Sequence, residues 1–442
     1  MNKLRTASIL VTLLIIFYFI NKVDFKKDLI WNLENSLHPK IIFQFKKAYL
    51  IYSHDFKKQI NLKKKKNQKI ISSENRQFKL YTFSNKIFKK NGPKVFIEIY
   101  NNNLITITGT GLLSYTNIQN FKKEELNLKM IRNNLRDIFK TEKIIENPGL
   151  VLNMKIFRDD IYITYVNEIK KDCFNTAVLK GKFNSKKIFF EPIFIPKECV
   201  KKNNSYGEFY ILDAGGALEF LNETKLFLST GTFRFRDLAQ LKDNIFGKIL
   251  LIDINNNSQK IISIGHRNIQ GMVYDKEKDI LFFTEHGPQG GDEINLNFSP
   301  LRNEIKNYGW PIASYGEHYG GKIEKNKKRY EKAPLLKQHK KYGFIEPHKF
   351  FDPSIAPSDI IFVPNRFDEG FNNNIYISAL GFKNDNGRRS IHTFKLNSNF
   401  ELENHEIISL NDRIRDIEYS ERFNSIFLFL EKTASIGILE KF

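Results

Sequence analysis

Cysteine is almost missing from this chain: Cys173 and Cys199 are the only two in 442 residues. That excludes a multi-disulfide scaffold and a zinc site built on cysteine pairs. Histidine is sparse as well, and no two of its nine histidines stand at the i, i+2 or i, i+4 spacing of a metal-binding pair. Proline (13) and glycine (24) are too few for a collagen-like or low-complexity chain. Acidic residues are outnumbered 49 to 70, leaving a formal net charge of +21. No apolar run long enough to span a membrane follows residue 20. Long periodic helices are missing too, apart from a helix expected over Lys122 to Phe139.

What is present suits strands. Aromatic residues make up 14% of the chain, with 40 Phe, and β-branched residues are plentiful. Short β-rich runs occur at Val95 to Tyr100, Leu104 to Thr108, Ile161 to Val166, Lys225 to Thr230 and Lys248 to Ile254. They resume at Ile280 to Thr284, Asn374 to Leu380, Ser390 to Leu396 and Ser425 to Leu430, separated by turns rich in Asn, Asp and Gly. The fold class is all-β. Such strands suit a sandwich, a barrel or a propeller; no Pro/Gly/Ser-rich linker interrupts residues 80–442, and divided as a propeller, at roughly 40–60 residues per blade, that length would make six to eight blades.

The N-terminus carries a targeting pattern. Lys3 and Arg5 precede an apolar run from Ala7 to Ile20, the length of a secretory signal's apolar region. No small-x-small cleavage site follows, so residues 1–27 read as an uncleaved anchor segment and residues 28–79 as a linker, with an amphipathic piece at Ile41 to Tyr52. In an exported protein Cys173 and Cys199 can pair; two separate buried thiols are the alternative. The positive charge reads as a solvated basic surface, drawn to anionic lipid near the anchor. The lysine cluster Lys63 to Lys66 has no nucleic-acid module beside it, so nucleic acid is excluded as a partner.

Chemistry concentrates between Ile264 and Gly321. The stretch contains Gly265-His266-Arg267-Asn268-Ile269-Gln270-Gly271, then Glu285-His286-Gly287-Pro288-Gln289-Gly290-Gly291-Asp292-Glu293, then Asn307-Tyr308-Gly309-Trp310-Pro311 and Ser314-Tyr315-Gly316-Glu317. Asp352-Pro353-Ser354 and Arg413-Ile414-Arg415-Asp416 follow in order. From about Asn147 to Phe442 the chain thereby resembles the aldose (glucose/sorbosone) dehydrogenases that use pyrroloquinoline quinone (PQQ). The resemblance implies a six-bladed β-propeller, a periplasmic location, PQQ and Ca²⁺, and a sugar substrate. With the N-terminal segment, it places the protein in the periplasm, tethered to the inner membrane.

The quinone carries three carboxylates, and forked guanidinium groups suit them. The resemblance assigns cofactor binding to Arg267, Asn268, Gln270, Arg413 and Arg415, with Lys383 near the position of a quinone-contacting lysine. Arg413 and Arg415, at i and i+2, would share one strand face. The carbonyls of Gly287 and Pro288 match those that hold Ca²⁺ in the family. Glu293 and the backbone of Tyr308 match a second, structural Ca²⁺ site, although the segment Asn297 to Ile305 is enlarged here. His318, after Tyr315-Gly316-Glu317, is expected on the rim.

The catalytic pair departs from the family. Where relatives carry a His base, this chain has Asp213; where they carry its Asp partner, it has Thr232. Either Asp213 is a replacement base, or the propeller binds quinone, glycan or a protein partner without turnover.

Overall fold

A computed structural model describes residues 41, 44, 46–48 and 57–442, except 66–67, 92–93, 141–142, 144–146, 148, 303, 369–373 and 382–388. The expected anchor, most of the amphipathic piece before Tyr52, and Lys383 lie outside the described residues. Among the described residues, no helix is long and apolar enough to cross a membrane.

The fold is mostly β and is built from antiparallel meanders. The first strands of the meanders are β1 (Val95–Tyr100), β2 (Val151–Phe157), β3 (Gly215–Phe220), β4 (Ile269–Asp275), β5 (Pro357–Val363) and β6 (Ile414–Ser420). Each first strand packs beside the next in chain order, and β6 packs beside β1, so the ring closes into a propeller. Hydroxyl groups tie neighbours together: Thr176 Oγ1 donates to the Ala214 carbonyl at 2.6 Å, and Ser358 Oγ to that of Ile414 at 2.6 Å. At the β6–β1 seam, the Ile97 N–H donates to Asp416 Oδ2 at 2.6 Å.

Middle strands are covered on both faces and read as apolar runs. Ile280–Glu285, Asn374–Ala379 and Ser425–Leu430 are buried throughout. Edge strands such as Leu402–Ser409 expose much of their length. The hairpin after β1 turns on Asn101 and Asn102, both at positive φ (45° and 63°), with Tyr100 paired to Asn103. Asparagine tolerates that left-handed geometry, which matches the twist of the strands it joins. The two cysteines form a disulfide that ties the strand Cys173–Lys182 to the segment before Val200–Lys201.

Two sequence expectations are corrected. The sheet starts well before residue 80: Gln59–Lys64 and Gln77–Ser84 are strands of the ring, and the boundary at residue 80 cuts through the second. Gln77–Ser84 pairs with the last strand, Ser435–Lys441, and Gln59–Lys64 pairs with Glu125–Asn133. A polar segment thus belongs to the sheet because its alternate residues Ile60, Leu62, Phe78, Leu80 and Phe83 are buried. The helix expected over Lys122 to Phe139 is instead the strand Glu125–Asn133 followed by a short helix, Leu135–Phe139. Leu126 and Leu128 are buried while Glu125, Asn127 and Lys129 are exposed, a two-residue period that decides for the strand.

The axis of the ring is lined by charge. Lys155 on β2 lies 3.5 Å from Glu219 on β3 and 3.9 Å from Glu98 on β1. Burial opposes the charge of Lys155, but Glu219, Glu98, Glu418 and Asp359 outweigh it and hold the amine well above its ordinary value. Burial and mutual repulsion disfavour the charged carboxylates: Asp416 and Glu418 rise to about 7, and Glu98 and Asp359 are raised well above the ordinary carboxylate range. Groups with raised carboxyl pKa bind more protons folded than unfolded, so their contribution to stability falls as pH rises from the ordinary carboxylate range to about 7. Lys155 counteracts this fall. Lys155→Met should cost about 2 kcal/mol at pH 8, between an exposed and a buried ion pair. The loss should shrink at pH 5; denaturant unfolding followed by circular dichroism at the two pH values measures it.

Candidate functional site

The residues just before the first strands gather at one mouth of the ring. Asp213 precedes β3, Arg267 and Asn268 precede β4, and Arg413 precedes β6, with Arg415 two residues on. Arg267 and Asp213 are both buried, and Arg267 Nη2 donates to Asp213 Oδ2 at 3.2 Å. Arg267 Nη1 donates to the His286 carbonyl at 3.1 Å, and its guanidinium lies over the Trp310 ring at 5.6 Å. Asn268 Oδ1 accepts from the Gly215 N–H at 2.9 Å and from Gln270 Nε2 at 3.2 Å, which locks β4 to β3.

Arg413 and Arg415 share a strand side and converge on one carboxylate. Arg413 Nε donates to Glu431 Oε2 at 3.0 Å, and Arg415 Nε donates to Oε1 at 2.6 Å. Arg413 Nη1 also donates to the Gly381 carbonyl at 2.9 Å. Burial alone would raise the Glu431 carboxyl, but the two guanidinium groups outweigh it and hold the carboxyl below its ordinary value.

All three arginines bear on His286. Its imidazole is driven down to about 3, first by burial, then by the charge of Arg267, with Arg415 and Arg413 adding to the effect. The ring is therefore neutral. Nε2 lies 2.7 Å from the Pro357 carbonyl, so it carries the hydrogen and leaves Nδ1 as an acceptor. Arginines spaced 146 and 148 residues apart in sequence thus bear electrostatically on a single half-buried ring.

The Gly-Pro loop is held by Asp292. Its Oδ1 accepts from the Gly287 N–H at 2.8 Å and its Oδ2 from the Ala356 N–H at 2.6 Å. Burial pushes this carboxyl up to about 7 against those two bonds. A Cβ on Gly287 would sit 2.1 Å from the Gly291 carbonyl oxygen, so only glycine fits. The Pro288 carbonyl accepts from Ser354 Oγ at 3.3 Å.

Glu293 is buried, with Oε2 accepting from Asn295 Nδ2 at 2.9 Å, while Asn295 Oδ1 is buried without a partner. Burial first, and then Glu285, push the Glu293 carboxyl well above its ordinary value. The Tyr308 ring belongs to the core, packed on His266 and Phe283 at 4.8 and 5.1 Å. Among the described residues no cluster of three or more His, Cys, Asp or Glu is arranged to hold a metal. A hard cation also accepts carbonyl and amide oxygen, and the orphaned Asn295 oxygen beside Glu293 fits that chemistry.

Several working residues escape sequence reasoning. Arg234 Nε donates to Asp213 Oδ2 at 3.3 Å, so the carboxylate at the base position is held by two guanidinium groups. Ser263, His266 and Glu285 form a chain, with Ser263 Oγ 2.7 Å from His266 Nε2 and His266 Nδ1 3.0 Å from Glu285 Oε2. Ser263 has no exposed surface, so this is no nucleophile. Glu285 accepts from the Arg267 backbone N–H, and the chain positions that arginine. His318 is a correction: it is buried rather than on the rim, with Nε2 2.8 Å from the Ala333 carbonyl. Its environment closes when residues 327–332 fold over it as a helix.

Glu431→Gln should destabilise the protein by about 2–4 kcal/mol at pH 7, because two guanidinium groups lose their shared anion. The wild-type carboxyl has a lowered pKa, so its contribution is present above the ordinary carboxylate range and lost as pH falls. Unfolding curves of wild type and variant should converge toward pH 3.

The glucose/sorbosone dehydrogenase family model matches residues 156–436, more than half of the chain. The aldose sugar dehydrogenase YliI of Escherichia coli (strain K12) is 30% identical over 221 residues, covering 46% of this chain and 54% of that protein. The chain spans about half the length of the curated relatives it matches, 42% and 54% of two of them. Among solved structures, the soluble aldose sugar dehydrogenase of Escherichia coli in its apo-form superposes with a TM-score of 0.56 at 21% identity, over 79% of this chain and 95% of that one. The PQQ-bound aldose sugar dehydrogenase of Streptomyces coelicolor gives 0.51 at 16% identity, over 79% and 93%. These superpositions establish the likeness of fold, and the family match goes further: the chain belongs to the glucose/sorbosone dehydrogenase family.

Proposed function

We propose that this protein is a six-bladed, PQQ- and Ca²⁺-dependent aldose sugar dehydrogenase. The observation that carries the reading is that Arg267, before β4, and Arg413 and Arg415, at the start of β6, stand at the same mouth of the ring. Planar cations held in place by hydrogen bonds suit a tricarboxylate ring. Asn268 and Gln270 set the wall between β3 and β4. Gly287 and Pro288 would supply carbonyl oxygens to the ion beside the quinone. Glu293, Asn295 and the Tyr308 backbone would serve the second ion. When bound, the quinone supplies the hydride acceptor.

Asp213 stands in the base position. Its Oδ2 is occupied by Arg234 and Arg267, and Oδ1 carries neither contact, so Oδ1 is the atom to meet a sugar hydroxyl. The apolar run Ala7 to Ile20, with a disulfide suited to an oxidising compartment, supports export to the periplasm and a tether to the inner membrane.

A second reading is binding of quinone or glycan without turnover. It is favoured by Thr232 at the partner position, whose buried Oγ1 bonds to nothing and so orients no base. Reconstitution with PQQ and Ca²⁺, followed by aldose-dependent dye reduction, separates the two. Turnover by the wild type, lowered about 10²- to 10⁴-fold in Asp213→Ala, is the expected result. Quinone binding with wild type and Asp213→Ala equally inactive would establish the binding module instead.

A further inference from the structure

Lys94 immediately precedes β1, the place in its own meander that Arg413 holds before β6 and Asn268 before β4. It is 5% exposed, and among the described residues it has neither a hydrogen-bonding partner for its amine nor a carboxylate at ion-pair distance. The stem is buried, but the amine keeps an opening and has no anion beside it, which is unusual for a lysine so deeply placed. Lys248, the other deeply buried lysine at a strand start, donates to three carbonyls, those of Leu238, Ala239 and Phe246, at 2.8, 3.1 and 2.6 Å.

The surroundings locate the amine. The stem of Lys94 runs against Gly149, just before β2, where an added Cβ would meet Lys94 Cδ at 3.5 Å and Leu212 Cδ2 at 3.8 Å. Leu212 is the residue before Asp213. On the other side, Lys94 feels Arg415 and Glu431 on and beside β6. Glu431 is already shared between Arg413 and Arg415, so the nearest carboxylate is spoken for. Lys94 therefore stands between the Asp213 wall and the arginine pair.

We propose that Lys94 belongs to the pocket that receives the quinone's carboxylates, and that it takes up a proton when that anion binds. The proposal rests on the quinone reading above and assigns this chain a cofactor contact distinct from Lys383. The charged groups facing Lys94 are Arg415 and Glu431, with Arg413 acting on the same Glu431. Burial first, and then Arg415, lower its amine to about 7, against the pull of Glu431. An empty pocket at neutral pH thus holds a mixture of amine and ammonium. A carboxylate placed beside Lys94 favours the ammonium and draws a proton from solvent.

Isothermal titration of PQQ into the Ca²⁺-loaded protein, in two buffers of unlike ionisation enthalpy, counts that proton. At pH 7 the wild type should take up about half a proton per quinone, approaching one at pH 8. Its affinity should fall up to about tenfold per pH unit above 7, because the free amine must be protonated on binding. Lys94→Arg keeps the charge at all these pH values, so it should bind with no uptake and with that pH dependence removed. Lys94→Met should bind more weakly and without uptake. Quinone binding with no proton uptake in the wild type, or with undiminished uptake in Lys94→Met, overturns the proposal while leaving the cofactor reading intact. Equal uptake on adding inorganic phosphate alone overturns the assignment to the quinone. No quinone binding by the wild type sinks the cofactor reading, and the proposal with it.

Discussion

The pairing of Gln77–Ser84 with Ser435–Lys441 is the constraint on which the rest depends. Seven residue pairs in register join the N-terminal part of the chain to its last strand, from Ser84 with Ser435 to Phe78 with Lys441. Without that seam the two end meanders would present open edges, and an open arc of sheets would not fix β6 against β1. Every contact at the mouth relies on the closure. Arg413 and Arg415 come from one side of the seam and Lys94 from the other. A buried triad reinforces the same region: Arg76 donates to Asp368 at 2.7 Å and lies 3.0 Å from Glu406, clamping the first hairpin onto the fifth meander.

Closure also concentrates charge along the axis. First strands facing one another bring Glu98, Glu219, Asp359, Asp416 and Glu418 within range of the Lys155 amine. The arrangement at the mouth has the opposite sign, with guanidinium groups outnumbering their carboxylates. One end of the ring thus resists anion loss while its interior resists further negative charge. An anionic ligand is attracted to the mouth and discouraged from the channel beneath it.

The strands of the middle sheets were legible because both faces are covered, so the sequence shows plain β-branched and aromatic runs. Val95–Tyr100, Lys225–Thr230, Ser390–Leu396 and Ser425–Leu430 fall where those runs stand. The strands Gln59–Lys64 and Gln77–Ser84 were not legible, since each alternates with lysine, glutamine or asparagine and pairs with a strand far along the chain, Glu125–Asn133 for the first and Ser435–Lys441 for the second. Motif residues such as Arg267 and Arg413 announce themselves by type and order. Glu431, Arg234 and Lys94 do not, because nothing in their local sequence says that distant loops converge on them. Placement in three dimensions, not spacing along the chain, gives those three their surroundings.

The combination of Asp213 and Thr232 makes sense in that setting. A carboxylate at residue 213 brings negative charge to a mouth that Arg234 and Arg267 would otherwise leave strongly cationic, and both arginines turn to it. A second carboxylate at residue 232 would then compete for the same two cations. Threonine avoids that repulsion but leaves a buried hydroxyl unsatisfied. The pair Asp213 and Thr232 thus keeps a single carboxylate between two guanidinium groups, Arg234 and Arg267.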